Sequence, residues 1–400
     1  MTPLLIRNIG LLVTNAPDVP GQLGMVEDAA VSIRDAQIVW AGPEDEIPVA
    51  LRRSAELDVE RRAVIPGFVD SHTHLVFGGD RAEEFSARLG GASYEEILRS
   101  GGGIHSTVAA TREASVDDLL AQSVSRGHRM LRSGTTTVEI KSGYGLTAAD
   151  EVRILEVAGR VGEDSGIGVM RTFLGAHVPD RGLTEEDHVD LVIDEMLPAA
   201  APHAEFCDVF VDRGAFSVDS ARRVFEAATG YGLVPRLHAE QLTHTGAAAL
   251  SAEVNAASAD HLDRVTVEDA VAMAEAGVVA GMLPGAGFSM RADQAPARML
   301  WDAGVIVALA TDCNPGTSYV ESMQFVIAVA CLEMGLTPDE AVWSATRGGA
   351  KSLRRDDLGI IRAGAAADLV ILDAPSHRHI PYRPGSDLVW KVVKSGQVVE

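Results

Sequence analysis

The sequence is poor in cysteine and in positive charge, and it has no long uninterrupted apolar run. Three cysteines in 400 residues, Cys207, Cys313 and Cys331, are odd in number, widely spaced and without a Cys-x-x-Cys pair. That excludes a disulfide framework and a thiolate zinc site, and leaves small buried apolar residues as the expectation. Lys and Arg number 34 against 57 Asp and Glu, a formal net charge of −23. Nucleic acid and anionic membrane surfaces both need a basic footprint, so neither is an expected partner. No apolar run approaches the roughly 20 residues of a membrane span, and the opening Met1-Thr-Pro-Leu-Leu-Ile-Arg lacks a basic segment followed by a long apolar one. A cytoplasmic location is the expectation. A Gly-x-Gly-x-x-Gly turn after an early strand is also missing, which argues against an open doubly wound sheet.

The acidic balance constrains the substrate as well. An anionic small molecule would be repelled at long range, although screening beyond ~8 to 10 Å weakens the effect, so it would need a specific cation inside its pocket. With 46% hydrophobic and 23% charged residues, the chain has room for one large core and a small accessory domain.

Both ends of the chain read as short strands with turns between them. Leu4 to Ile9, Leu11 to Thr14, Ala30 to Ile33, Gln37 to Ala41 and Ala55 to Val59 have this pattern, and so do the stretches from Ala367 and Val389. Neither end alone can bury both faces of a sheet, so residues 1–64 and 356–400 are expected to join in one small β-sandwich domain. Between them, over 65–355, eight apolar strand candidates alternate with helical stretches: Gly67 to Leu75, Thr135 to Ile140, Gly168 to Leu174, Phe206 to Val211, Val234 to His238, Ser258 to Leu262, Val278 to Leu283 and Val305 to Ala310. Helices are expected in the gaps, as at Val116 to Ser133, Thr147 to Val161, Glu185 to Leu197, Ser217 to Ala228 and Thr266 to Ala276. The α/β architecture this predicts is a (β/α)8 barrel of the TIM type.

Catalytic groups on such barrels sit at the carboxyl ends of the strands. Those ends carry His72 and His74, then Tyr144, His177, His238, His261 and Asp312. If Gly67 to Leu75 is a strand, its side chains alternate and the two histidines of His72-Thr-His74 face one point. Imidazoles and a carboxylate converging on one barrel mouth suit a transition metal such as Zn or Fe. The other seven histidines, His105, His128, His188, His203, His244, His377 and His379, fall in loops, helices or the tail, where a solvated position is the default.

Across its whole length the chain resembles the imidazolonepropionase family of the amidohydrolase superfamily. The motifs that carry the resemblance are Pro66-Gly-Phe-Val-Asp-Ser-His-Thr-His-Leu, Phe77-Gly-Gly-Asp-Arg-Ala-Glu-Glu-Phe, Gly101-Gly-Gly-Ile, Thr135-Thr-Thr-Val-Glu-Ile-Lys-Ser-Gly-Tyr-Gly-Leu, Leu237-His-Ala-Glu-Gln-Leu, Ser258-Ala-Asp-His-Leu and Ala310-Thr-Asp-Cys-Asn-Pro-Gly-Thr-Ser. The resemblance implies that His72, His74, His238 and Asp312 bind one Zn2+ or Fe3+ per chain. It implies too that Arg81, Tyr144, His177, Gln241, Asn314, Gly316 and Thr317 hold the substrate. The reaction implied is water-driven opening of the cyclic amide of 4-imidazolone-5-propanoate to N-formimino-L-glutamate, in histidine degradation. Another cyclic amidohydrolase or a nucleobase deaminase is the alternative.

For that chemistry His261 is the candidate to orient or deprotonate the water, or else a buried histidine that only positions Asp312. Asp312 is the candidate to pass a proton to the leaving ring nitrogen, and Gln241 to serve catalysis as a hydrogen-bonding group. Arg81, in a strongly acidic chain, is the cation a propionate tail needs, because a guanidinium grips a carboxylate through two parallel hydrogen bonds. The competing role for Arg81 is a solvated ion pair with Glu83 or Glu84. Some superfamily members bridge two metals with a carboxylated lysine on the fourth strand. Phe206 to Asp212 has no lysine, so a single metal is expected, and Lys141 lies on the second strand instead. A homodimer is common in the superfamily and is carried over as an expectation.

Overall fold

Residues 3–52, 54–92 and 102–399 are described in a computed structural model of the chain. Gly101, the first residue of one motif above, lies outside them. The N-terminal strands are β1 (Leu4–Val13), β2 (Met25–Arg34), β3 (Gln37–Pro43), β4 (Ala55–Asp58) and β5 (Ala63–Pro66). β1 is one strand where the sequence suggests two. Its register against β2 shifts between Ile6 and Ile9, and Asn8 there takes a left-handed backbone (φ 56°), so an irregularity absorbs the break in pattern.

The barrel strands follow: β6 (Phe68–Asp70), β7 (Thr135–Lys141), β8 (Gly168–Ala176), β9 (Phe206–Val211), β10 (Val234–Ala239), β11 (Ser258–His261), β12 (Val279–Met282) and β13 (Val307–Leu309). They pair side by side in chain order, all parallel. The expected strand Gly67 to Leu75 is shorter than its apolar pattern. Regular pairing stops at Asp70, and His72 to His74 continue extended beyond it, because their backbone groups are taken up by the far strand's exit instead of by a continuous ladder. Asp312 N donates to His72 O (3.0 Å) and His74 N to Cys313 O (3.0 Å), which joins the first and eighth strands and nearly closes the barrel.

The chain ends in β14 (Leu369–Leu372), β15 (Val389–Lys394) and β16 (Gln397–Val399). These join the N-terminal strands in one mixed sheet of order β16-β15-β14-β5-β1-β2-β3, with β4 on β1. In a flat sheet β14 and β3 would lie about 19 Å apart, four strand spacings. Instead Ile38 N donates to Ala365 O (2.9 Å), and one buried cluster unites Ile33 and Ile38 with Leu369, Ile371 and Val393. The sheet therefore curls so that its two ends face each other across a common core.

The helices start where side chains can cap them. Ser115 accepts from Asp118 N ahead of Val116–Arg132, and Thr147 from Asp150 N ahead of Ala148–Ser165. Thr266 and Asp269 form a reciprocal capping box ahead of Val267–Ala276. The helix expected over Glu185 to Leu197 is α-helical only to Leu191 and then winds as a π-turn over Val192–Met196. Pro198, which has no N–H for the ladder, lies two residues beyond it, in the short α-helical turn Leu197–Ala200. Two histidines expected in solvent are buried. His188 Nε2 donates to Gly175 O (2.9 Å), and His377 Nε2 to Asp339 Oδ1 (2.8 Å). Cys207 and Cys313 are buried and Cys331 half-buried. Among the described residues no helix is long and apolar enough to cross a membrane.

Candidate active site

The exits of β6, β10, β11 and the segment after β13 converge. His72 Nε2 lies 3.6 Å and His74 Nε2 3.7 Å from Asp312 Oδ1, and His238 Nε2 lies 3.3 Å from His74 Nε2. The His238 and His261 rings are 5.3 Å apart, and His72 is 4.5 Å from His238. His177 stacks on His74 at 5.0 Å and 12°. All of these groups are buried. The backbone is bent to aim them: His261 (φ 76°) and Asp312 (φ 52°) are left-handed non-glycine residues, a conformation that persists only where the surroundings impose it.

Beneath the imidazoles lies a layer of buried charge. His72 Nδ1 donates to Asp260 Oδ2 (2.8 Å) and His238 Nδ1 to Asp208 Oδ1 (3.1 Å), which leaves the Nε2 lone pair of each ring as the free face. Lys141 Nζ sits 2.8 Å from both Glu139 Oε1 and Asp208 Oδ2, and Arg236 Nη2 is 3.2 Å from Asp260 Oδ2. Burial opposes the Lys141 charge, but Asp208 and Glu139 outweigh it and hold its pKa above the ordinary value.

The donor set fits a transition metal. His72 Nε2 is buried without a hydrogen-bond partner among the described residues, and His72, His74 and Asp312 offer ligand atoms within 4.8 Å of one another. His72, His238 and His261 form a second such group, and His74, His177 and His238 a third. Burial lowers the pKa of His72, His74 and His261 well below the usual imidazole value and raises Asp312 well above the carboxylate range. Neutral rings are the form that ligates, and a cation is what makes an aspartate anion favourable in such a place.

The remaining predicted residues surround this centre. Tyr144, buried, lies 5.7 Å from His74 and 5.5 Å from His177 ring to ring. Burial raises its pKa, Asp312 raises it further and Arg81 lowers it, so its hydroxyl lies within the field of both. His177 Nδ1 donates to Gly143 O (3.0 Å), and burial pushes its pKa down to about 3. Gly143 (φ 106°) permits that approach, since a Cβ there would sit 2.9 Å from His177 Nδ1. Asn314 Nδ2 donates to Asp312 O (2.7 Å), while its Oδ1 accepts from Gly316 N and Thr317 N (2.8 Å each). Thr317 Oγ1 reaches Asp312 Oδ2 at 3.4 Å.

Arg81 lies against Gly316, where a Cβ would be 2.1 Å from its Nη1, and Arg81 Nε donates to Glu84 Oε2 (2.9 Å). Gln241 stands just past β10 and half-buried, with no hydrogen bond to the others among the described residues. The turn carrying it is held by Glu240, whose carboxylate accepts from the N–H groups of Thr245, Gly246 and Ala248.

A match to the model of the amidohydrolase family covers residues 63–399. The chain is 52% identical to the imidazolonepropionase of Mycolicibacterium smegmatis, over 100% of this chain and 98% of that one. The chain belongs to the amidohydrolase family. The imidazolonepropionase of Streptomyces griseus is 50% identical and covered in full, as is this chain. Among solved structures, an adenosine deaminase from Xanthomonas campestris with bound zinc superposes with a TM-score of 0.76 at 21% identity, over 99% of this chain and 92% of that one. Like other amidohydrolases, this chain is a hydrolytic enzyme with His and Asp groups able to hold a metal.

Asp208 and Asp260 were not singled out from the sequence; Glu84 was named there as a solvated ion-pair partner of Arg81, and the pair forms, but mostly buried. The signal for the first two was present, because each is the one carboxylate inside a buried barrel strand, Phe206-Cys-Asp-Val and Ser258-Ala-Asp-His.

Proposed function

We propose that this enzyme is an imidazolonepropionase: it hydrolyses the cyclic amide of 4-imidazolone-5-propanoate to N-formimino-L-glutamate, a step of histidine degradation. The support is about 50% identity, end to end, with curated imidazolonepropionases. The observation that supports it in the site is Arg81, whose guanidinium lies against Gly316 of the 314–317 loop and is paired along one edge with Glu84. A substrate with a carboxylate tail needs that cation, and a nucleobase does not.

One Zn2+ or Fe3+ ion per chain would be held by His72, His74, His238 and Asp312. When bound, it supplies Lewis acidity and makes water acidic enough to ionise near neutral pH. His261 orients the attacking water and takes its proton. The water oxygen bonds to the ring carbonyl carbon, the bond from that carbon to the ring nitrogen breaks, and Asp312 passes the proton lost by the water, handed on from His261, to the leaving nitrogen. Arg81 receives the propionate. Tyr144, His177, Gln241, Asn314, Gly316 and Thr317 line the ring and tail, with Gln241 as a hydrogen-bonding partner. The same proposal takes residues 64 and 356 as the borders of the barrel domain, the cytoplasm as the location and a homodimer as the assembly.

The test is an assay on freshly made imidazolone-propionate, with the product identified by mass, beside a panel of purines, pyrimidines and other cyclic amides. Turnover confined to the panel, with the imidazolone untouched, would overturn the proposal.

A further inference from the structure

Arg81 does not reach its place unaided. It is the residue just before the helix Ala82–Leu89, and one turn on, Glu84 points back at it. Arg81 Nε donates to Glu84 Oε2 (2.9 Å) and Nη2 donates to Glu84 Oε1, so one whole edge of the guanidinium is taken. The pair is mostly buried, at 14% and 12% side-chain exposure, whereas Glu83 is exposed. Glu84 Oε2 also accepts from Gly103 N (2.9 Å), at the start of the helix Ile104–Glu113, so the carboxylate itself is held from a second side. On its far face the guanidinium lies over Gly316, where a Cβ would stand 2.1 Å from Nη1. Of the five N–H groups of a guanidinium, two are spent on Glu84, and among the described residues none hydrogen-bonds the edge formed by Nη1 and the second N–H of Nη2.

We infer that Glu84 is a positioning residue for substrate recognition: it fixes the arginine so that only the Nη1 and Nη2 edge can receive a carboxylate, and it cancels the arginine's bare charge. The tail is then recognised by two directed hydrogen bonds on a neutral ion pair, which rewards a carboxylate of the right reach over any anion of the same charge. The inference rests on Arg81 binding the substrate's carboxylate, as proposed above.

The experiment is a double-mutant cycle on the metal-loaded enzyme with Arg81→Ala, Glu84→Ala and the pair, and with Glu84→Gln as a variant that keeps an acceptor oxygen. Metal per chain and thermal unfolding are measured alongside. Glu84→Ala should raise KM about tenfold or more, with kcat far less affected, since a charged hydrogen bond has been lost from the arginine's support. Glu84→Gln should fall between. In the Arg81→Ala background, removing Glu84 should cost almost nothing further, because its effect runs through the arginine. A KM that is unchanged or lower in Glu84→Ala overturns the inference, since a bystander charge would only repel the substrate. So does a loss that persists undiminished without Arg81, which would make Glu84 a brace for Gly103 alone. If Arg81→Ala keeps the parent KM while Glu84→Ala does not, the carboxylate-binding role of Arg81 is what fails.

Discussion

Lys141, at the end of the second barrel strand, places its Nζ 2.8 Å from Asp208 Oδ2 on the fourth, skipping the strand between, and both side chains are completely buried. The ion pair keeps Asp208 an anion, and its other oxygen accepts from His238 Nδ1. His238 is thereby held in the tautomer whose Nε2 faces the cluster. Asp208→Asn should therefore weaken metal binding about 10- to 100-fold, the usual cost of losing a carboxylate behind a ligating histidine. Competition with a chromophoric chelator reads this directly, and an unchanged affinity would remove Asp208 from any role in the centre.

His238→Ala should lose both metal and activity, because a remnant of three ligands binds far more weakly. Elemental analysis of the parent should give one ion per chain. Two ions per chain would contradict the assignment of His72, His74, His238 and Asp312 as a single site.

Arg81→Ala should lower kcat/KM roughly tenfold to a few hundredfold with the metal retained, the range expected for one charged hydrogen-bonding partner. Arg81→Lys should remain impaired, since a point charge cannot reproduce the two-pronged contact. Gly316→Ala should resemble a mild Arg81 variant, because its methyl would meet Nη1 at 2.1 Å. Steady-state kinetics on the imidazolone and on an analogue without the carboxylate separate these outcomes.

His188 gives a pH-dependent prediction away from the metal centre. Burial lowers its pKa below the ordinary 6.5, and it bridges Asp180 N (3.3 Å) and Gly175 O (2.9 Å) as a neutral ring. The unfolded chain then binds the proton more readily than the folded one. The contribution of His188 is complete above about pH 6.5 and is lost as pH falls toward the folded pKa, with a slope of at most ~1.4 kcal/mol per pH unit. His188→Gln should flatten that part of the stability curve, as the difference between urea midpoints of parent and variant from pH 7 to pH 5. A difference that does not vary with pH would show that His188 does not titrate on unfolding.

The eight barrel strands and the residues at their ends were legible in the sequence, because apolar runs and their spacing are local properties. Phe206 to Val211 is a strand in the sequence and in the structure for the same reason: a strand flanked by strands on both sides is mostly apolar, Asp208 being its one charged residue. That His72, His238 and Asp312 stand at strand ends could be read from the same runs. Only the tertiary structure decided which nitrogen of each ring faces the centre, since Asp260 and Asp208 make that choice from strands far along the chain. It also decided that His188 and His377 are interior, and that Arg81 meets both Glu84 and Gly316. Such choices depend on barrel closure, which brings the exit of the first strand against the segment after the eighth, about 240 residues later, through bonds such as Thr311 N to Asp70 Oδ1. Periodicity along a chain records which face a residue occupies; the partner it meets there is set by how distant strands are staggered against each other.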